Sequence, residues 1–140
     1  MSTVNKALIR RYVEAWNTGN LALMDELLAS NVTCRFYGLA EVIGLEAFKQ
    51  MAPAFASSFS DSWFTIETII AEDDLVAIHY SWRGTHHGEY LGIAANRKQV
   101  METGTRFYRI AEGKITEMWG DENVLRLLQQ LGGGSQCGSE

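Results

Sequence analysis

Apolar residues recur at helical spacing at the start of the chain. Ile9, Val13 and Trp16 lie three to four positions apart with Tyr12 beside them, which predicts a helix of about four turns that stops at Gly19. Asn20 stands where an N-cap belongs, ahead of a second amphipathic helix carrying Leu21, Met24, Leu27 and Leu28 and ending near Ser30-Asn31. Val32 to Tyr37 reads as a short strand. Helical spacing returns from Gly44 to Phe59 through Leu45, Phe48, Ala52 and Phe55. Pro53 removes a backbone donor inside that stretch and predicts a kink or a break into two pieces. From Trp63 the period becomes two, with Phe64, Ile66, Thr68 and Ile70 assigned to one face. Asp73-Asp74 marks a turn, and Leu75 to Arg83 alternates Val76, Ile78, Tyr80 and Trp82 against Ala77, His79, Ser81 and Arg83. After the loop THHGEYLGIAANRK, a strand is expected from Lys98 to Ile110. A hairpin turn at Glu112-Gly113 and a strand from Ile115 to Gly120 follow, then a last helix beginning near Asn123.

Helices followed by a run of antiparallel strands and a closing helix give an α+β class, with helices on one face of a curved sheet that wraps a pocket. Strands from Trp63 to Trp82 carry large residues on both parities, so the outer face is expected to meet a second copy as a homodimer. The 140 residues, 46% of them hydrophobic, suit one domain, assigned to residues 1–132. The glycine-rich tail 133–140 is expected to be disordered. A net charge of −5, with no basic run longer than Arg10-Arg11, argues against nucleic acid as a partner. Two cysteines, Cys34 and Cys137, form neither a disulfide framework nor a metal-ligand pattern. No apolar stretch reaches the ~20 residues of a membrane span, and a signal-peptide core is missing, so a cytoplasmic protein without a membrane partner is expected.

Asp121 is the leading candidate for chemistry. It ends the last strand with the parity of Ile115 and Trp119, which would turn it toward the apolar interior, where desolvation would raise its pKa and suit it to general acid–base work. The same residue could instead cap the helix that follows. His79 could contact a substrate carbonyl or tune Asp121, or be a satisfied core histidine. Tyr12, Trp16, Phe36 and Trp119 could stack on a ring-shaped ligand or simply fill the core. His86-His87 lacks other ligands at metal-binding spacing, so no metal is expected.

The stretches IRRYVEAWNTGN, GTHHGEYLGI and GKITEMWGDENVLRLLQQLG, in this order of elements, resemble the SnoaL-like polyketide cyclases of the nuclear transport factor 2-like superfamily. The likeness runs to Gly132. It implies a cone of curved antiparallel sheet closed by N-terminal helices around an apolar pocket, a homodimer or tetramer, and no cofactor or metal. It also implies that Asp121 serves as general acid and base in an intramolecular aldol condensation, though many relatives place an aspartate near Asn123. His86, in the GTH match, would shape the mouth of the cone. Limonene epoxide hydrolase, on the same fold, also carries its acid two residues after a strand tryptophan, but the arginine and second aspartate it needs are replaced here by His79 and Ser81, which argues against epoxide opening. The expected function is therefore a cofactor-free cyclase or isomerase acting on a polyketide-like or other carbonyl-rich, hydrophobic small molecule. A non-catalytic ligand-binding or protein-interaction module, and a hydrolase or hydratase using the same acid, are the alternatives.

Overall fold

The computed structural model describes residues 2–36, 41–90, 92–122 and 129–130. The expected start of the last helix at Asn123 and the tail 133–140 lie outside the described residues. Helix α1 (Ser2–Thr18) turns Ile9, Tyr12 and Val13 into the core and ends at Gly19, whose φ of +72° is a left-handed conformation that glycine adopts without strain. A single 3₁₀ turn (Leu21–Leu23) leads into one turn of helix α2 (Met24–Leu27). Strands β1 (Leu28–Phe36) and β2 (Val42–Ile43), helix α3 (Leu45–Ser58) and strands β3 (Trp63–Glu72), β4 (Leu75–Thr85), β5 (Gln99–Ala111) and β6 (Lys114–Glu122) follow.

The strands form one mixed, unclosed, curved sheet in the order β2-β1-β6-β5-β4-β3. Antiparallel pairing holds throughout β3 to β6, as the alternating pattern predicts. The sheet is not wholly antiparallel, because β1 runs parallel to β6. Helix α1 lies against β3 and β4, and α3 against β1 and β2, so the helices cover the concave face. The α+β class stands. Val76, Ile78, Tyr80 and Trp82 all point into the core, as read from their alternation. The hairpin turn at Glu112-Gly113 has both residues at positive φ, +53° and +76°, the conformation that matches the twist of the flanking strands.

Several expectations are corrected or extended. Asn20 makes no side-chain cap, and the second helix gives way to β1 at Leu28 instead of continuing to Ser30-Asn31. There the pairing of Leu28 with Ile115 outweighs the local helical spacing. Of the kink or break expected at Pro53, the break does not occur: α3 is one continuous helix, with the proline ring exposed to solvent. Strand β2 adds a two-residue edge that the pattern does not show. Finally, a bulge between Ile66 and Thr68 reverses the parity of β3 midway. Phe64 and Ile66 therefore share the inner face with Ile69 and Ala71, while Ile70 is 62% exposed.

Candidate functional site

Two asparagines hold α1 across the hairpin of β3 and β4. The Asn5 Nδ2 donates to the Asp73 carbonyl at 3.3 Å. Asn17 acts as a substitute strand partner for the sheet edge, its Nδ2 donating to the Phe64 carbonyl at 2.8 Å and its Oδ1 accepting from the Phe64 amide at 2.7 Å. This fixes Phe64 beside Trp16. The two rings, with Tyr12 and Val13 of α1, Ile78 and Tyr80 of β4, and Arg106 and Tyr108 of β5, line a cavity of about 10 Å³. That is room for about one water, so a ring-sized ligand enters by displacing side chains of the wall.

The polar content of this wall is concentrated at Arg106. Its side chain is buried at 9% exposure, its Nη2 donates to the Tyr80 hydroxyl at 3.2 Å, and its guanidinium carbon lies 4.9 Å from the Tyr80 ring centroid and 5.7 Å from that of Phe64. A phenol that accepts a hydrogen bond from a guanidinium becomes a better donor in turn. Gly104, paired with Tyr80, makes this arrangement possible, since a Cβ there would come within 2.7 Å of the Tyr80 oxygen. Tyr12 is packed edge-on to Tyr108 with ring centroids 5.8 Å apart and donates to the Met118 sulfur at 3.4 Å. Burial pushes the Tyr12 phenol well above its ordinary pKa, with Arg106 pulling it back.

Asp121 is not in this wall. It is exposed on the convex face, in register with Thr105, which is in turn in register with His79. The expected inward orientation fails at a bulge: Ile110 pairs with Ile115 but Arg109 pairs with Glu117, so Thr116 is an extra residue and the parity of β6 reverses after it. Ile115, Met118 and Gly120 are buried, whereas Trp119 shares the outer face with Asp121. There Trp119 stacks on Phe107 at 5.6 Å, with the Arg109 and Arg35 guanidinium carbons 5.7 and 5.9 Å from its centroid. It does not line the cavity. His79 is exposed as well, and is neither a core histidine nor a neighbour of the cavity.

Of the expected aromatic residues, Tyr12 and Trp16 line the cavity, and the Phe36 side chain lies outside the described residues. His86 is fully buried and His87 exposed, so the two rings point apart. Among the described residues no three His, Cys, Asp or Glu side chains gather into a group that could hold a metal. Nor, among them, is any helix long and apolar enough to cross a membrane.

The pattern of β5 also holds one cavity residue that helical and strand spacing do not mark, Arg106, and a second charge in the same row, Glu102. Val100, Glu102, Gly104, Arg106, Tyr108 and Ile110 share one parity of β5, and two charges in an otherwise apolar or small row are the signal. Glu102 lies opposite Trp82 on the concave side, half-buried, and accepts a hydrogen bond from the Gln130 amide. Gln130 also brackets the Met101 backbone, donating to its carbonyl at 2.9 Å and accepting from its amide at 3.0 Å.

The arrangement of helices over a curved sheet is matched among known proteins. Residues 6–131 match the SnoaL-like polyketide cyclase family. The chain belongs to that family. Among solved structures, AclR from Streptomyces galilaeus, described as a candidate hydroxylase, is similar at 25% identity and a TM-score of 0.83, over 94% of this chain and 98% of AclR. IdmH from Streptomyces antibioticus, a candidate polyketide cyclase, is 27% identical with a TM-score of 0.76, over 91% of this chain and 98% of its own. A SnoaL-like protein from Jannaschia Sp. CCS1 superposes with a TM-score of 0.87 over 94% and 93% of the two chains; at 18% identity this likeness speaks for the fold alone. No curated protein matches the chain significantly.

Proposed function

We propose that this SnoaL-like protein is a cofactor-free cyclase or isomerase that enolises a carbonyl-rich small molecule in the cavity between α1 and the concave sheet. Family membership supports a role of this type in general terms. The observation that carries the finer reading is the buried Arg106–Tyr80 pair in an otherwise aromatic and aliphatic wall. A carbonyl oxygen placed against that pair gains negative charge as its α-carbon loses a proton, and guanidinium and phenol donors in a desolvated site stabilise that charge. Tyr12 and Trp16 hold the body of the ligand. Ring closure then needs only that the enol carbon and a second carbonyl of the same molecule be held together.

The proton acceptor in this reading is a carboxylate of the concave face, and Glu102 is the described acid whose row lies there. Asp121, the candidate from strand parity, is the rival base. Deuterium exchange at the acidic carbon of 1-phenyl-1,3-butanedione, followed by proton NMR, tests the proposal. Tyr80→Phe should slow exchange roughly 10²-fold or more. Glu102→Gln should slow it by roughly 10² to 10⁴-fold and Asp121→Asn should leave it unchanged. Loss of exchange in Asp121→Asn with full activity in Glu102→Gln would return the base to Asp121. Wild-type exchange no faster than that of Tyr80→Phe would overturn the enolising site.

A further inference from the structure

The concave row of β4 continues past Trp82 and Gly84 to His86, where the loop to β5 begins. Its backbone is pinned on both sides, the His86 amide donating to the Lys98 carbonyl at 3.0 Å and the Arg97 amide donating to the His86 carbonyl at 3.0 Å. The ring is thereby directed inward and stacks on Phe59, centroids 5.6 Å apart and planes 23° from parallel. Its exposure is 0%, and neither ring nitrogen has a hydrogen-bond partner among the described residues. An imidazole carries at least one N–H, and its neutral form also offers an acceptor, so burial among rings leaves both functions unsatisfied. A phenylalanine would fill the same place without that cost.

The surroundings specify what could satisfy it. Phe59 contacts Trp82 at 5.0 Å and Tyr90 at 5.1 Å, and Phe55 contacts Tyr90 at 5.7 Å, so His86 closes one end of an aromatic box. Tyr90 belongs to the tight turn it makes with Ile93, where Gly92 has a φ of +80°. That turn is tied to the end of α3, since the Ser58 carbonyl accepts from the His87 and Gly88 amides and its hydroxyl donates to the Glu89 carbonyl. The Tyr90 side of the box is formed by the loop between β4 and β5.

We infer that His86 is a ligand-recognition residue: the box takes a planar aromatic ring that enters beside Tyr90, and a hydroxyl or carbonyl oxygen on that ring hydrogen-bonds to the His86 imidazole. The box adjoins the cavity, since Phe55 meets Trp16 at 5.7 Å and Trp82 meets Phe64 at 6.3 Å, but His86 stands six residues along the chain from Tyr80, roughly 20 Å of extended backbone. Its test requires no turnover, and failure of the enolisation proposal leaves it standing.

2-Naphthol and naphthalene share a ring system and differ in one hydroxyl, so they separate polar recognition from apolar filling. Titrated against the tryptophan fluorescence of the full chain, 2-naphthol should bind about tenfold more tightly than naphthalene, the worth of one buried hydrogen bond. His86→Phe should bring the two affinities together while keeping naphthalene binding and leaving denaturant stability equal or higher. In the wild type, the His86 imidazole ¹⁵N resonances should move on adding 2-naphthol and stay in place with naphthalene, which provides the same test if His86→Phe does not fold. Equal affinities in the wild type, an undiminished preference in His86→Phe, unmoved ¹⁵N resonances, or no binding of either probe at millimolar concentration would each overturn the inference.

Discussion

Cys34 sits in β1 with 1% of its surface exposed, and burial pushes its thiol from 9.0 up to about 12, with Arg106 pulling weakly the other way. A thiol held protonated in the native state is no nucleophile near neutral pH. It also makes stability depend on pH with a definite sign. Below pH 9 both folded and unfolded chains keep the proton and the native state loses nothing. As pH rises from 9 toward about 12, the unfolded chain releases it first, and stability should fall by ~1.4 kcal/mol per pH unit on account of this group. Tyr12 acts in the same direction at higher pH. Urea melts between pH 8 and 11 should therefore show a steeper alkaline loss for the wild type than for Cys34→Ala; parallel curves would remove Cys34 as a cause. Single residues were unevenly legible in the sequence. Tyr12 and Trp16 follow from helical spacing because α1 is regular. The face of Asp121 does not, because one extra residue at Thr116 reverses parity and a bulge leaves no mark on the local alternation. Arg106 and Glu102 were present in the row of β5 but stand out only once that row is known to face the helices.

At the scale of elements, Asn17 shows how a helix can close a sheet edge. Strand β3 is the last strand of the sheet, and the Asn17 amide occupies both the donor and the acceptor of Phe64 on its open side. Asn17→Ala would leave a half-buried amide and carbonyl without partners, at a cost of roughly 1–3 kcal/mol. Equilibrium urea melts should show that loss, and hydrogen exchange should locate it at the start of β3, whereas Asn17→Asp should recover only the bond from the Phe64 amide. A stability change within error for Asn17→Ala would mean the clamp contributes nothing. The elements most readable from sequence are those whose ends carry their own chemistry: α1 stopping at Gly19, the Asp73-Asp74 turn and the Glu112-Gly113 hairpin. The α2 to β1 boundary was hidden because its determinant is distant. Leu28 becomes extended by pairing with Ile115, 87 positions along the chain, and no local pattern encodes a parallel partner that far away.

At the scale of the whole molecule, the described residues leave one side of the sheet uncovered, and the register shows what lies there. Ile70 on β3 pairs with Ala77 on β4, Ala77 with Phe107 on β5, Phe107 with Trp119 on β6, and Trp119 with Arg35 on β1, one continuous row across five strands. Ile70 is 62% exposed and Phe107 39%, and the stacked Phe107 and Trp119 rings are framed by Arg35, Arg109 and Glu117, with Arg109 also bonded to Asp74. Monomers rarely leave a contiguous apolar stripe of this kind in water, and a row with charges at one end can satisfy itself against a second copy turned by a two-fold axis, apolar end on apolar end. We propose that this face forms a homodimer. Sedimentation equilibrium at micromolar concentration should return twice the 15.7 kDa chain mass. Phe107→Glu should shift the chain to monomer by placing like charges on both sides of the two-fold contact. Exchange of 1-phenyl-1,3-butanedione should survive in that monomer, because the cavity is lined from the opposite face and Phe107 does not reach it. A wild-type chain that sediments as a monomer at these concentrations would count decisively against the dimer, and a Phe107→Glu monomer that has lost exchange would mean the two faces of the sheet do not act separately.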